Sequence, residues 1–482
     1  MAAQPLLRLE STGNPALDRI LGGGIPGQSV TVIAGEPGAG KTIFTLQMLF
    51  AAAREGKKCL YFTTLSEPAI KVIRYMQSFD FFDVEILDKL IIFADLGKVL
   101  REGSDATIAE IVARVETLEP DYVAIDSFRS IVELMPQPGI ARSFVYDLAN
   151  HMAGWGATTF LVGEYVRDDF SQFAEFAVAD GIIRLGVERQ DLTSVRTIEI
   201  MKLRGGNYIS GRHFFEIGPG GLYVYPRVRA PEFSGRAPSL SERDSTGVAG
   251  LDELLDGGLP RGSCTVVQGG TGAGKTILSL NFLLAGIARN EKGLLFTLEE
   301  TPDQLREIAK GLGWDLDAQE KKGMLVIRYA SPVELMTDRF FDSAREDVQR
   351  LGARRAVLDS LTTISLGVPS ERRFKELIYS TAKHLRSVGC SAFMTMESEQ
   401  LLGNVNLSGL GVSFMADNLM QIRYVELDGR LERAVSVIKA RGINLNTELR
   451  SAVIGKGGIK VVGERFKDLR GVLTGLPSRT TR

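Results

Sequence analysis

The sequence runs to 482 residues, 44% of them hydrophobic and 24% charged, with a formal net charge of -2. That balance excludes a disordered or fibrous chain, leaves room for two or more packed domains, and supplies no global basic field of the kind that gathers nucleic acid. The opening MAAQPLLRLE has neither the basic start nor the apolar core of a secretory leader, and no apolar run approaches bilayer-spanning length, so a cytoplasmic protein without a membrane partner is expected. Cys59, Cys264 and Cys390 sit far apart in apolar surroundings and read as buried thiols, while His151, His213 and His384 are too scattered for a metal pattern.

In chain order, STGNPALDRILGGGIPGQS begins at Ser11 and leads into the short β-branched run SVTVIAG. A glycine-rich stretch, GEPGAGKT, follows from Gly35 to Thr42, and KTIFTLQMLFAAAR then has helical length and spacing. Further strands are expected at CLYFTTL, DYVAIDS and ATTFLVGE, with helix-length segments between them, and a strand IEIMKLRGG carries Lys202 and Arg204. The stretch VYPRVRAPEFSGRAPSLSERD, with Pro226, Pro231 and Pro238, has the composition of an exposed linker, which places a domain boundary near residue 235.

The same series then returns. STGVAGLDELLDGGLPRGS starts at Ser245, 234 residues after Ser11, and GGTGAGKT starts at Gly269, 234 after Gly35. Asp359 in RAVLDS lies 233 after Asp126, and Lys439 in VIKARG lies 237 after Lys202. Four anchors in one order with little drift predict two homologous domains, 1–235 and 236–482. Strand, crossover helix and strand again predict an α/β fold, each domain a mostly parallel sheet flanked by helices.

Both glycine-rich stretches match G-x-x-x-x-G-K-[ST] between a strand and a helix, the context in which successive backbone N–H groups cradle phosphate. Gly35, Gly38, Ala39, Gly40, Lys41 and Thr42 form the first candidate ATP site, and Gly269, Gly272, Ala273, Gly274, Lys275 and Thr276 the second. The lysines would meet the β and γ phosphates, and Thr42 and Thr276, with Asp126 and Asp359 at neighbouring strand ends, would hold Mg²⁺. The alternative for each aspartate is a turn former. A carboxylate at the end of the adjacent strand is the expected activator of the attacking water. The second half offers Glu299 and Glu300 side by side; the first offers Glu67 with Ser66 beside it. Paired acids raise each other's pKa, and the alternative is that they cap the following helix. Lys202 with Arg204 and Lys439 with Arg441, two apart on a strand, would project from one face as cationic forks; a solvated edge strand is the alternative.

Across nearly the whole chain, the STG lead-in, both loops, the EE pair, the Asp-Ser strand ends and the K-x-R-G strands resemble the KaiC family of double-domain RecA-like ATPases. The resemblance implies a homohexamer of two stacked rings with ATP at the subunit interfaces, the forks reaching the γ-phosphate held by a neighbouring subunit. It also implies a first ring that is mainly an ATPase and a second that is an ATPase with autokinase and reverse activity. In GVSFMADNLMQIRYVE the serine of the family's Ser-Thr acceptor pair is matched by Ser413, whereas Phe414 occupies the threonine position and rules out a two-site cycle; Phe176 stands opposite Ser413 in the first half. The basic C-terminal end, with Arg465, Lys467, Arg470, Arg479 and Arg482, reads as a mobile tail, and the resemblance implies a regulatory or signalling protein partner. Two other readings compete: a RecA-like nucleic-acid-dependent ATPase, against which the candidate channel loops YVRDDFSQFAEF and MESEQLLGNVNLSGLG carry the wrong charge, and an ATP-held ring scaffold. The unequal surroundings of the two loops make the first the expected assembling site and the second the chemically active one.

Overall fold

The computed structural model describes residues 8–64, 68–135, 137–166, 172–190, 193–228, 239–332, 335–368, 370–398, 411, 415–427, 429–463, 466, 469–470, 472 and 478–479. The chain divides into two compact units, Met1–Arg227 and Val228–Arg482.

The first unit is built on nine strands: Val30–Gly35 (β1), Cys59–Thr63 (β2), Ile91–Asp95 (β3), Tyr122–Asp126 (β4), Thr158–Glu164 (β5), Gly181–Gln190 (β6), Thr193–Leu203 (β7), Arg212–Gly218 (β8) and Gly221–Tyr225 (β9). They lie in the order β3-β2-β4-β5-β1-β6-β7-β8-β9. The strands from β3 to β6 are parallel, and β7 to β9 continue as an antiparallel meander. The second unit repeats this arrangement with Cys264–Gly269 (β10), Gly293–Thr297 (β11), Leu325–Tyr329 (β12), Arg355–Asp359 (β13), Ser391–Glu397 (β14), Asn418–Leu427 (β15), Arg430–Ala440 (β16), Arg450–Gly455 (β17) and Gly458–Val462 (β18). Its order, β12-β11-β13-β14-β10-β15-β16-β17-β18, is the first one displaced by nine. These are tandem RecA-like α/β domains.

The central strands are continuous apolar runs because helices cover both faces. In the first unit Ile33 and Tyr61 point into one core with Phe44 and Leu49, while Val32, Leu60 and Phe62 point into the other with Phe144 and Leu148. Cys59, Cys264 and Cys390 are free and buried, and burial pushes the thiols of Cys59 and Cys264 up to about 12.

The STG lead-in works as a clasp. Thr12 donates to Asp18 through its amide and its hydroxyl at 2.9 and 2.7 Å, and Ser11 adds a bond at 2.6 Å. Thr246 and Ser245 hold Asp252 identically, at 2.8, 2.6 and 2.5 Å. Gly13 and Gly247, both at positive φ, press against the helices that leave the phosphate loops: a Cβ would lie 2.3 Å from Ala51 Cβ and 2.5 Å from the Asn281 carbonyl oxygen. The C-terminal segment differs from a free tail. Phe466 and Val472 are buried against Val425 and Ala434, and Leu469–Arg470 pairs with Ser478–Arg479; Arg465, Lys467 and Arg482 lie outside the described residues.

Candidate nucleotide sites

Each glycine-rich loop leaves the carboxyl end of the central parallel strand, β1 or β10, and enters a helix, Lys41–Arg54 or Lys275–Ile287. Gly40 and Gly274 cap those helices at φ +96° and +107°, a conformation that disfavours any side chain, and a Cβ there would strike Ile217 at 2.7 Å or Ile454 at 2.8 Å. Lys41 folds back over its loop, donating to the carbonyls of Gly35 and Glu36 at 3.0 and 2.9 Å; Lys275 does the same to Gly269 and Gly270 at 3.0 and 3.1 Å. Gly38 and Gly272 hold the loop crest at positive φ, and Ala39 and Ala273 are fully buried beneath it. The first loop opens on a cavity of about 990 Å³, lined by Gly38, Gly40, Lys41, Thr42 and Asp126 among others.

The helix threonines meet the strand-end aspartates. Thr42 Oγ1 donates to Asp126 Oδ2, and Thr276 Oγ1 to Asp359 Oδ2, both at 2.8 Å. Neither aspartate forms the turn that follows, because Ser127 and Ser360 cap the next helices by accepting the amides of Ser130 and Thr363. Burial pushes both aspartate carboxyls up; the hydroxyls of Tyr61 and Thr42 counter this at Asp126, and those of Thr395 and Thr276 at Asp359. A hydroxyl and a carboxylate side by side at a phosphate loop are the hard oxygen donors that suit Mg²⁺.

The adjacent glutamates have separate surroundings. Glu299 accepts from the hydroxyls of Ser360 and Thr363 at 2.5 and 2.8 Å. Glu300 keeps one carboxylate oxygen buried with no partner among the described residues. Burial, then the charges of Asp359 and Glu299, push its carboxyl up, and Lys275 pulls it down, which puts it in the field of the loop lysine. Neither glutamate caps the following helix: Thr301 does, in a capping box with Gln304. Glu67 lies outside the described residues, as does Ser413; Phe176 is buried in the short helix Ala174–Val178.

The cationic forks do not lie on edge strands, and the lysine and arginine are not simple same-face neighbours. β7 and β16 are interior, their register slips one residue before Lys202 and Lys439, and Arg204 and Arg441 fall just past the strand ends. The bulge re-aims each lysine along the sheet. Lys202 pairs with Ile182, which pairs with Val32; Lys439 pairs with Leu419, which pairs with Val266. Each lysine is therefore three residues back along the central strand from the loop, and two strands across, about 14 Å away at strand spacings of ~3.3 and ~4.8 Å. Their ammonium groups donate away from the loop, to the carbonyls of Phe176 at 3.4 Å and Ala416 at 2.6 Å. Arg204 pairs with Asp180 at 3.3 Å. Burial, then the neighbouring arginine, pushes each lysine down.

Several residues at these sites escape a reading of the sequence. Glu164 lines the first cavity and pairs in register with Gly35; Glu397 pairs with Gly269 and accepts a short bond from Thr271. Arg196 lines the first cavity, and its counterpart Arg433 stacks on Tyr424 at 5.2 Å and donates to the Gly272 carbonyl at 3.2 Å, where the Tyr424 hydroxyl also donates at 2.6 Å. The signal for the arginines was present: each stands six residues before the fork lysine.

Two loops of this form, in tandem RecA-like sheets with paired hydroxyl and carboxylate oxygens, define a double-domain P-loop ATPase. The family model described as "ATPase: KaiC" matches residues 10–229 and again 245–465, and the chain belongs to the KaiC family. It is 27% identical over 474 residues to the circadian clock oscillator protein KaiC of Thermostichus vulcanus, covering 96% of this chain and 90% of the relative. The KaiC of Prochlorococcus marinus strain MIT 9313 is 27% identical over 482 residues (98% and 95%), and the circadian clock protein KaiC3 of Synechocystis is 27% identical over 485 residues (98% and 95%). Among the described residues no helix is long and apolar enough to cross a membrane.

Proposed function

We propose that this chain is an ATP-hydrolysing signalling protein that works as a homohexamer, with one nucleotide site at each subunit interface in both domains and a serine autokinase in the second. The observation that carries this reading is the position of the forks. Lys202, Arg204, Lys439 and Arg441 stand at the end of each sheet remote from the loop of the same domain, and a side chain reaching roughly 6–7 Å does not span about 14 Å. They can act on a nucleotide only when it belongs to another subunit, as a head-to-tail ring interface would arrange.

Within a site, Lys41 or Lys275 and the loop amides hold the phosphates. Thr42 with Asp126, and Thr276 with Asp359, would hold Mg²⁺, which when bound would supply positive charge against the phosphates. Glu300 accepts the proton of the attacking water, and Glu299, held by Ser360 and Thr363, fixes its position and keeps its carboxylate basic. Glu67 takes the corresponding place in the first domain. Ser413 is the acceptor when a hydroxyl replaces water. Cytoplasmic location and a regulatory protein partner complete the reading. Incubating the purified protein with γ-labelled ATP and mapping any phosphosite tests it: label at Ser413, absent in Ser413→Ala, is expected, and undiminished label in that variant moves the acceptor elsewhere.

A further inference from the structure

Among the cations of the first nucleotide site is one, Arg129, that the second domain does not repeat. Arg129 lies three residues beyond Asp126, in the helix Phe128–Glu133, and lines the cavity that contains Lys41, Thr42 and Asp126. Its guanidinium is mostly buried and lies over Phe173, 3.8 Å from the ring centre, with Tyr165 at 5.4 Å. Nε donates to Glu133 at 2.7 Å, and Nη1 is buried without an acceptor among the described residues. The corresponding position of the second domain, 233 residues on, is Thr362, an uncharged group whose hydroxyl accepts the amide of Glu397 at 2.8 Å.

We propose that Arg129 is a contact to the terminal phosphate at the first site only, and that it makes this site discriminate ATP from ADP. The proposal rests on the reading of the first loop as a nucleotide site. The aromatic faces hold the guanidinium plane fixed, so little freedom is lost when its edge meets an anion. Its present partner is a weak competitor, because Glu133 is 59% exposed and its charge is screened by water. A terminal phosphate beside Lys41 carries more charge in a less hydrated place, and the guanidinium matches two of its oxygens at once. ADP lacks that group, so the contact adds to triphosphate affinity alone.

The test uses the full chain carrying Lys275→Ala, which leaves the first loop as the only complete one. It is titrated with a fluorescent ADP and with the matching non-hydrolysable triphosphate. Arg129→Gln should weaken the triphosphate by about tenfold or more, the range of a charge-assisted hydrogen bond, and change ADP less than threefold. Arg129→Lys should recover part of the loss. Equal loss of both nucleotides in Arg129→Gln, or no loss of either, would overturn the proposal. If the Lys275→Ala parent binds neither nucleotide, the reading of the first loop itself fails.

Discussion

A mixed-ring experiment puts the fork geometry at risk. One variant carries Lys439→Ala with Arg441→Ala, and keeps its own loop and glutamates; the other carries Glu299→Gln with Glu300→Gln, and keeps its fork. Each alone should lose second-domain hydrolysis by about a thousandfold, the scale of a trans cation or of a lost water activator. Turnover remaining in the glutamate variant reports the first domain and is subtracted. When the two are dissociated, mixed in equal amounts and reassembled, a site is complete only where an intact loop and glutamate pair faces an intact fork. Random placement in a directional ring gives that pairing at about one interface in four, so about a quarter of wild-type second-domain ATPase should return. If each fork served its own loop, no subunit in the mixture would hold a complete set, and nothing would return. A mixture as inactive as its components, with mixed hexamers confirmed by native mass spectrometry, would refute the register argument.

Other outcomes follow from the same sites. Glu300 must be ionised to accept a proton, and its carboxyl is pushed above the ordinary range, so the acid limb of the second-domain pH–rate profile should lie above that of an ordinary glutamate. Glu299→Gln removes one of the charges raising it and should move that limb to lower pH; a limb that stays put would remove Glu300 from the role. Lys41→Ala should lower the hexamer fraction seen by native mass spectrometry if first-site ATP is the glue, and an unchanged hexamer would end that assignment. Arg355 is a fully buried cation holding Glu291 at 2.9 Å and the carbonyls of Ser245 and Phe282 at 2.7 Å. Arg355→Ala leaves Glu291 only Arg261 at 2.5 Å, orphans the carbonyls of Ser245 and Phe282 and opens a cavity, and should cost about 3–5 kcal/mol in denaturant unfolding of the second domain. The first domain has Tyr122 there, hydrogen-bonded to Glu10 at 3.3 Å, and Tyr122→Phe should cost about 1 kcal/mol.

What the sequence made legible was local. The loops, their strands and helices, and the aspartates at strand ends are all set by short-range pattern, and the duplication multiplies each signal. The direction in which a fork faces is not local. Lys439 and Arg441 are two residues apart in a strand-like run, which suggests one face; the bulge at Ile438 and the strand end at Ala440 become visible only once β16 is paired with β15. The same holds for Glu300. Its sequence neighbours suggest a helix cap, yet Thr301 takes the cap, and Glu300 is left in the field of Asp359 and Lys275. Arg129 escaped notice because it occupies no motif; its partners Tyr165 and Phe173 lie more than 35 residues away.

The Thr–Asp clasp has a consequence for how this molecule would answer random mutagenesis. Among the described residues the carboxylates of Asp18 and Asp252 bond the lead-in residues Ser11 with Thr12 and Ser245 with Thr246, and each fixes the segment whose glycine presses on the helix beginning at Lys41 or Lys275. Loss of either carboxylate would free that helix to shift and carry the lysine with it. A screen for inactive clones would therefore gather hits at residues 11–18 and 245–252 as densely as at the loops themselves. A map drawn from such hits would show four hot spots where only two are the glycine-rich loops, and the other two would mark the hinges on which the first two hang.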